Sequence, residues 1–247
     1  MELLENIIMI SAKKILDDQE ILANNLANVS TIGFKSILIN PTILSNNKFC
    51  ENDLKLSNKL KDRDPTQGFF RLTKQPLDIA IIDQNGWLMV KTNKNKIAYT
   101  KNGHLKTNIK GQLTSQGNIV IGENGPIIIP KYDSIKILSD GTIKNIDSST
   151  KLEEKIDKIK LVKIDFKDLT SNNGLYFLNK EKKTNINSQE NSNIKILLET
   201  LEDSNVSISE NIIKIIEDSR KFDIQMKIFH DYDENVQLVN KFLNINN

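Results

Sequence analysis

Two histidines, His104 and His230, one cysteine, Cys50, and the acidic run DYDE at 231–234 are the side chains of this 247-residue chain best suited to chemistry. Imidazoles beside carboxylates would hold a metal ion, and a thiol beside an imidazole would make a nucleophile. The sequence assembles neither. His104 follows an Asn102-Gly103 turn signal, whereas His230 sits in a long helical pattern, so the two would have to converge from separate domains. No histidine is placed to activate Cys50, which reads as a tolerated loop thiol; a lone cysteine also rules out an internal disulfide. On a helix Asp231 and Glu234 face partly away from Asp233, so DYDE reads as a solvated acidic face. Phosphate-loop, G-x-S-x-G, H-E-x-x-H and C-x-x-C patterns do not occur. The expectation is a protein that is not an enzyme, with no catalytic residue, cofactor or metal.

Chemistry of another kind, directional hydrogen bonding, is concentrated in ANNLANVSTIGFKS (23–36). Asn24, Asn25 and Asn28 each offer two donors and an acceptor at the end of a helical pattern. Leu22, Leu26 and Val29 follow i, i+4, i+7 spacing and face a partner helix, which leaves the asparagines on other faces. There they either cap a fraying helix end or bond to adjacent subunits in an assembly. Gly33 permits the backbone conformation that ends the helix, and Phe34 anchors the chain as it leaves.

The elements that position these residues are legible from periodicity. Met1, Ile8, Ile15, Leu22 and Val29 recur every seven positions, and so do Ile208, Ile215, Phe222, Phe229, Val236 and Leu243. Such a repeat is the seam of helices packed along one another. Ile212 and Met226 fill the second row of the C-terminal seam, which Ser219, Asp233 and Asn240 interrupt. Ser207 and Glu210 have capping-box spacing and place the helix start near residue 208.

Between the helices the pattern changes. Turn signals at Asn85-Gly86, Asn102-Gly103, Lys110-Gly111, Gln116-Gly117, Asn124-Gly125 and Asp140-Gly141 separate the short runs LDIAII, WLMVK, IAYT, NIVIG, PIIIP and SIKIL. These read as hairpins of an antiparallel β domain, joined by KIKLVKIDF (158–166) and LYFL (175–178). Trp87, Phe69, Phe70 and Tyr99 read as core residues, KLEEKIDKIKLVK (151–163) as a solvated surface, and 183–193 as a polar loop.

The fold class is therefore α+β. The N- and C-terminal helices pack as a coiled-coil-like core with an antiparallel β-rich domain inserted between them. Expected boundaries are 1–36 for the N-terminal helix and turn, 37–76 for an extended linker, 77–200 for the β-rich outer domain and 201–247 for the C-terminal helix. A net charge of +2 argues against a nucleic-acid binder. The abundance of Asn, Lys and Ile is the mark of an AT-rich genome. The acidic start lacks the basic region of a signal peptide, and no apolar run approaches the roughly 20 residues of a membrane span.

The order of these features resembles a family. ANNLANVSTIGFKS, QPLDIAIIDQNGWLMVK (75–91), AYTKNGHLKTNIKGQLTSQGNIVIGENGPIIIP (98–130) and SNVSISENIIKIIEDSRKFDIQMKIFHDYDENVQLVNKFL (204–243) resemble, in family order, the bacterial flagellar axial proteins of rod and hook. NGLYFL (173–178) and RKFDIQMK followed by DEN favour a proximal-rod member, with distal-rod members the nearest competitor. Two positions depart from the family pattern. Ile32 stands where Thr or Pro usually precedes the glycine, and ILLET replaces a glycine-containing run before LEDSNV. The resemblance implies a structural subunit of the basal-body rod, exported unfolded through the flagellar type III apparatus without a cleavable signal. Its implied partners are other rod proteins and itself in a helical assembly crossing the periplasm, with no nucleic acid and no membrane insertion. The assembly interface it implies comprises Ile8, Ile15, Leu22, Asn24, Asn25, Leu26, Asn28, Gly33 and Phe34 at one end and Ile208, Ile215, Phe222, Met226, Phe229 and Val236 at the other. A secreted β-domain binding protein or adhesin is the alternative from a different class.

Overall fold

A computed structural model describes residues 2–39, 63–129, 134–146, 153–172, 174–178 and 194–245. Met1, Cys50, most of the expected linker and the polar stretch 183–193 lie outside these residues, as does the side chain of Leu243. The fold is α+β. Contacts divide the chain into two units: one of residues 2–27, 37–39 and 207–245, the other of 28–36 and 63–206.

The first unit is built on two helices, α1 (Glu2–Ala27) and α2 (Ile208–Ile245). α2 starts where the capping box places it: the Glu210 N–H donates to Ser207 Oγ at 3.4 Å. Ile8, Ala12, Ile15 and Leu22 of α1 are buried, so the seven-residue row of that helix does face its partner. The helices run antiparallel, since Ser11 meets Gln225 while Asp18 lies near Asp218.

The facing surface of α2 corrects the expected second row. Asn211 is buried and Ile215, Asp218, Phe222, Gln225, Tyr232 and Val236 are half-buried, a run at i, i+3/i+4 spacing. The row three residues beyond the seam therefore faces α1, and it is polar. Ile212 and Met226, four residues beyond, stay 43% and 39% exposed. Burial pushes the Asp18 carboxyl above its ordinary range; Asp218 and Asp17 add to this, against Lys14 and Lys221.

The second unit carries the strands. In chain order they are β1 (Phe70–Leu72), β2 (Ile79–Ile81), β3 (Gly86–Lys91), β4 (Ile97–Thr100), β5 (Leu105–Thr107), β6 (Leu113–Ser115), β7 (Asn118–Gly122), β8 (Gly125–Pro126), β9 (Ser134–Ile137), β10 (Thr142–Ile146), β11 (Glu153–Lys158), β12 (Leu161–Lys163), β13 (Leu169–Asn172), β14 (Leu175–Leu178), β15 (Ile196–Leu198) and β16 (Thr200–Glu202). The largest sheet has the order β13-β14-β4-β3-β7-β6-β5, with β12 also on β3 and β8 on β7. A three-stranded sheet β11-β10-β9 and the ribbons β1-β16 and β2-β15 complete the unit. Pairings are antiparallel, as the closely spaced turns require. Gln116 and Gly117, with φ of 48° and 77°, form the two-residue left-handed loop that joins β6 to β7.

The continuous apolar run WLMV is explained by burial on both faces of β3. Leu88 and Val90 enter one core with Ile79, Ala98, Leu113, Val120 and Ile143. Trp87 enters a second with Tyr99, Val162, Ile164 and Tyr176, and its indole N–H donates to the Ile164 carbonyl at 2.9 Å. Two core expectations need correction. Phe69 and Phe70 are 87% and 38% exposed on and beside the outer strand β1. In the stretch 151–163, expected to be solvated, Glu153 to Lys155 are exposed but Asp157, Ile159, Leu161 and Val162 are buried.

Candidate assembly site

The signature turn after α1 is assembled from local hydrogen bonds. Thr31 donates its N–H to the Asn28 carbonyl at 3.1 Å and its hydroxyl to Asn28 Oδ1 at 3.2 Å, and the Phe34 N–H donates to Thr31 O at 3.2 Å. Gly33 has φ +68°, the left-handed region, and a Cβ there would lie 2.7 Å from the Lys101 carbonyl carbon. Glycine is thus required twice, for conformation and for close approach.

The turn docks on two other segments of the β unit. The Gly33 N–H donates to the Glu202 carbonyl at 2.7 Å. Lys35 Nζ donates to Glu202 Oε1 at 2.6 Å and to Thr66 O at 2.7 Å, and both ionic side chains are 1% exposed. The Gly68 N–H adds a bond to Glu202 Oε1 at 3.1 Å. A side chain at Gly68 would strike the Asp203 carbonyl at 1.9 Å, which fixes glycine there too. Arg63 donates to Lys35 O at 2.6 Å and lays its guanidinium 5.0 Å from the Phe34 ring centre and 5.7 Å from that of Tyr176. Asn205 accepts the Ser36 N–H at 2.7 Å and donates to Thr66 O at 3.1 Å. Three segments, 33–36, 63–68 and 202–205, thereby interlock around one buried ion pair. The first follows α1 in the chain and the last precedes α2. Burial raises the Tyr176 phenol to about 12, opposed by Arg63.

Part of the expected linker is therefore structured: residues 63–68 belong to this clasp, and Phe70, Arg71 and Leu72 pair with Glu202, Leu201 and Thr200. ILLET, the departure from the family pattern, contains the last strand of one ribbon and the first residue of the next, with Glu199 between them at φ +53°. A non-glycine residue in that conformation costs about 1–2 kcal/mol. Its carbonyl accepts the Thr73 N–H at 2.7 Å.

The expected interface residues fall into distinct groups. Ile8, Ile15 and Leu22 are buried on α1, and Ile215, Phe222 and Val236 are half-buried on the α1 side of α2. Leu26 is half-buried, Asn24 is exposed, and Phe34 is buried. Ile208, Met226 and Phe229 are 50%, 39% and 38% exposed. Asn25 and Asn28 both make hydrogen bonds within the chain. Asn28 shapes the turn, while Asn25, 4% exposed, bonds both ways to Ile37: its Nδ2 donates to Ile37 O at 3.0 Å and its Oδ1 accepts the Ile37 N–H at 2.8 Å. Asn25→Leu would leave that N–H and carbonyl buried without partners, so it should lower the unfolding free energy by about 1–3 kcal/mol in denaturant titrations of the purified chain.

Lys35, Arg63, Glu202 and Asn205 escaped the sequence reading. Lys35 and Glu202 are 167 residues apart, and neither stands in a pattern that announces a buried ion. His104 has a positional role, its Nδ1 lying 2.7 Å from Asp78 Oδ1. Among the described residues one group has the spacing of metal ligands, the exposed His230, Asp231 and Glu234 on α2. No described helix is long and apolar enough to cross a membrane.

Comparison with known proteins gives this architecture its class. Residues 81–145 match the flagellar hook protein FlgE/F/G D1 domain, and residues 198–242 match the flagellar basal body rod FlgEFG protein C-terminal family. The flagellar basal-body rod protein FlgF of Buchnera aphidicola subsp. Baizongia pistaciae is 46% identical over 100% of both chains. FlgF of Salmonella typhimurium is 33% identical over 95% of this chain and 96% of its own. FlgG of the same Buchnera subspecies is 26% identical over 92% of this chain and 95% of its own. The chain belongs to the flagellar basal-body rod protein family and within it is most like FlgF.

Proposed function

We propose that the chain is a structural subunit of the flagellar basal-body rod, in its proximal part, polymerising with itself and other rod proteins into the drive shaft that crosses the periplasm. The observation that supports this best is the apolar surface of α2. Its α1-facing row includes Asn211, Asp218 and Gln225, whereas Ile208, Ile212, Ile213 and Ile216 are 50%, 43%, 56% and 47% exposed. Ile208, Ile212 and Ile216 lie at i, i+4, i+8 and form one stripe; Ile7, Met9 and Leu16 of α1 are exposed as well. Apolar patches of this kind mark interaction surfaces. In this reading the stripe packs on helices of neighbouring subunits, coiled-coil-like, together with Met226 and Phe229, and Asn24 lies at the same end. Ile8, Ile15 and Leu22 of α1, with Ile215, Phe222 and Val236 of α2, hold the helix pair that presents it. Gly33, Phe34, Asn25 and Asn28 fix the end of α1. The expected division into polymerising ends and an outer β domain fits the role. The protein is not an enzyme, and it reaches the periplasm through the flagellar type III apparatus without a cleavable signal.

The test is replacement of the resident FlgF by a tagged copy of this chain in a flagellated bacterium. Purified basal bodies should contain the tagged chain, and motility should return. Secretion of the chain without its incorporation would contradict the proposal.

A further inference from the structure

Over its first turns α2 offers two faces, and α1 covers the more polar one. The covered side carries Ile215 between Asn211 and Asp218. Ile208, Ile212 and Ile216 lie roughly a quarter turn away round the helix and stay half exposed. By apolar content alone the isoleucines are the better seat. The reason that they are left open lies on α1 itself. Beside its buried row Ile8, Ile15 and Leu22 runs a second row at the same spacing, Ser11, Asp18 and Asn25, and this row is polar.

The polar rows of the two helices meet layer by layer. Gln225 Nε2 donates to Ser11 Oγ. Seven residues on in α1 and seven back in α2, Asp18 and Asp218 line one groove together with Lys14 and Lys221, and Lys221 Nζ lies 3.0 Å from Asp218 Oδ1. Two carboxylates thus sit among two ammonium groups. A further seven residues bring Asn25 level with Asn211. Both are buried; Asn211 Nδ2 donates to Ser207 O at 2.6 Å, and Asn25 bonds Ile37. Turned onto the isoleucine stripe, Ser11 would lose its partner, and Asp18 would be covered by side chains that cannot replace its water.

We propose that the matched polar rows select the face of α2 that α1 occupies, and so keep the stripe of Ile208, Ile212 and Ile216 open for a neighbouring chain. Ser11 and Asp18 on α1, with Asp218 and Gln225 on α2, are the selecting residues. They specify the pairing and weaken it, as polar residues at helix seams do. The use of an open stripe rests on the rod reading above. The choice of face is a property of the isolated chain and is tested there.

The chain has one cysteine, so a Cys50→Ser background carrying Ile216→Cys reports cover of the stripe through its rate of labelling by a maleimide. Ile213→Cys, at a position 56% exposed beyond the stripe, is the reference. With the native rows the two full-length chains should label at similar rates. Ser11→Leu with Asp18→Leu should slow Ile216→Cys about tenfold relative to the reference, because α1 then has nothing polar to match and moves onto the isoleucines. Adding Asp218→Leu and Gln225→Leu should restore the ratio, since the original side then offers an apolar row of its own. An unchanged ratio in the Ser11→Leu, Asp18→Leu chain would overturn the proposal, whether α1 kept its place or came away. Slowing that disappears on dilution would overturn it too, since a second copy would then be the cover. So would equal slowing at Ile213→Cys, or no recovery in the four-fold variant. Secretion and rod incorporation do not enter these rates, so the rod reading and the choice of face stand or fall separately.

Discussion

Lys35→Met should lower the unfolding free energy of the β unit by about 3–5 kcal/mol, because it leaves a buried carboxylate without its ion partner. Glu202→Gln should cost at least as much. It removes the carboxylate that pairs with Lys35, and a neutral Gln cannot balance that buried cation. Replacing both members, as Lys35→Met with Glu202→Leu, should recover part of the loss, since a pair of apolar side chains carries no desolvation cost. Recovery will be incomplete, because the Gly68 N–H loses its Glu202 partner and the Thr66 carbonyl, though still bonded by Asn205, loses Lys35. Trp87 is the sole tryptophan and sits in the core beside Lys101, so its fluorescence in denaturant follows this unit specifically. Single variants as stable as the wild type would mean that the clasp is not what holds the turn.

The second large effect is on assembly and not on stability. Ile212→Lys with Ile216→Lys changes two side chains that are 43% and 47% exposed, so the isolated chain should unfold within about 0.5 kcal/mol of the wild type. In a rod these positions would bury two unpaired cations at an apolar contact. Rod completion and motility should be lost, with the variant still secreted. Phe222→Ala is the contrasting change. Phe222 is half-buried toward α1, so its loss should loosen the helix pair before any assembly begins. Monitoring secretion separately keeps an export failure from passing as an assembly failure.

The seam positions also show how far the sequence could be read. Ile8, Ile15 and Leu22 are buried as their seven-residue spacing requires. The companion row on α2 was not legible, because Ile212 and Met226 are apolar and the residues that do face α1, Asn211, Asp218 and Gln225, are polar. Hydrophobic periodicity ranks faces by apolar content, and on a helix with more than one apolar face it does not single out the one that packs in the chain. The same ambiguity misplaced Phe69 and Phe70, whose aromatic character reads as core although both are exposed on the β unit. In contrast, the strands around Trp87 were readable, since turn signals and short apolar runs are local. The clasp was not. Its ion pair joins residues 167 apart, and buried charge leaves no periodic trace. Its backbone requirements did leave one, in Gly33, whose φ of +68° accounts for the glycine that ends the signature.

The account rests on the outward stripe of α2 being the surface that meets neighbouring subunits. A photo-crosslinking amino acid placed at Ile216 in chains incorporated into purified basal bodies tests this directly. It should give covalent products joining two axial chains, whereas the same probe at Ile215, on the α1 side, should react within its own chain, and at Ile109 on a β hairpin should give neither. Absence of inter-chain products at Ile216 in fully assembled rods, or equal yields at Ile109, would contradict the assignment.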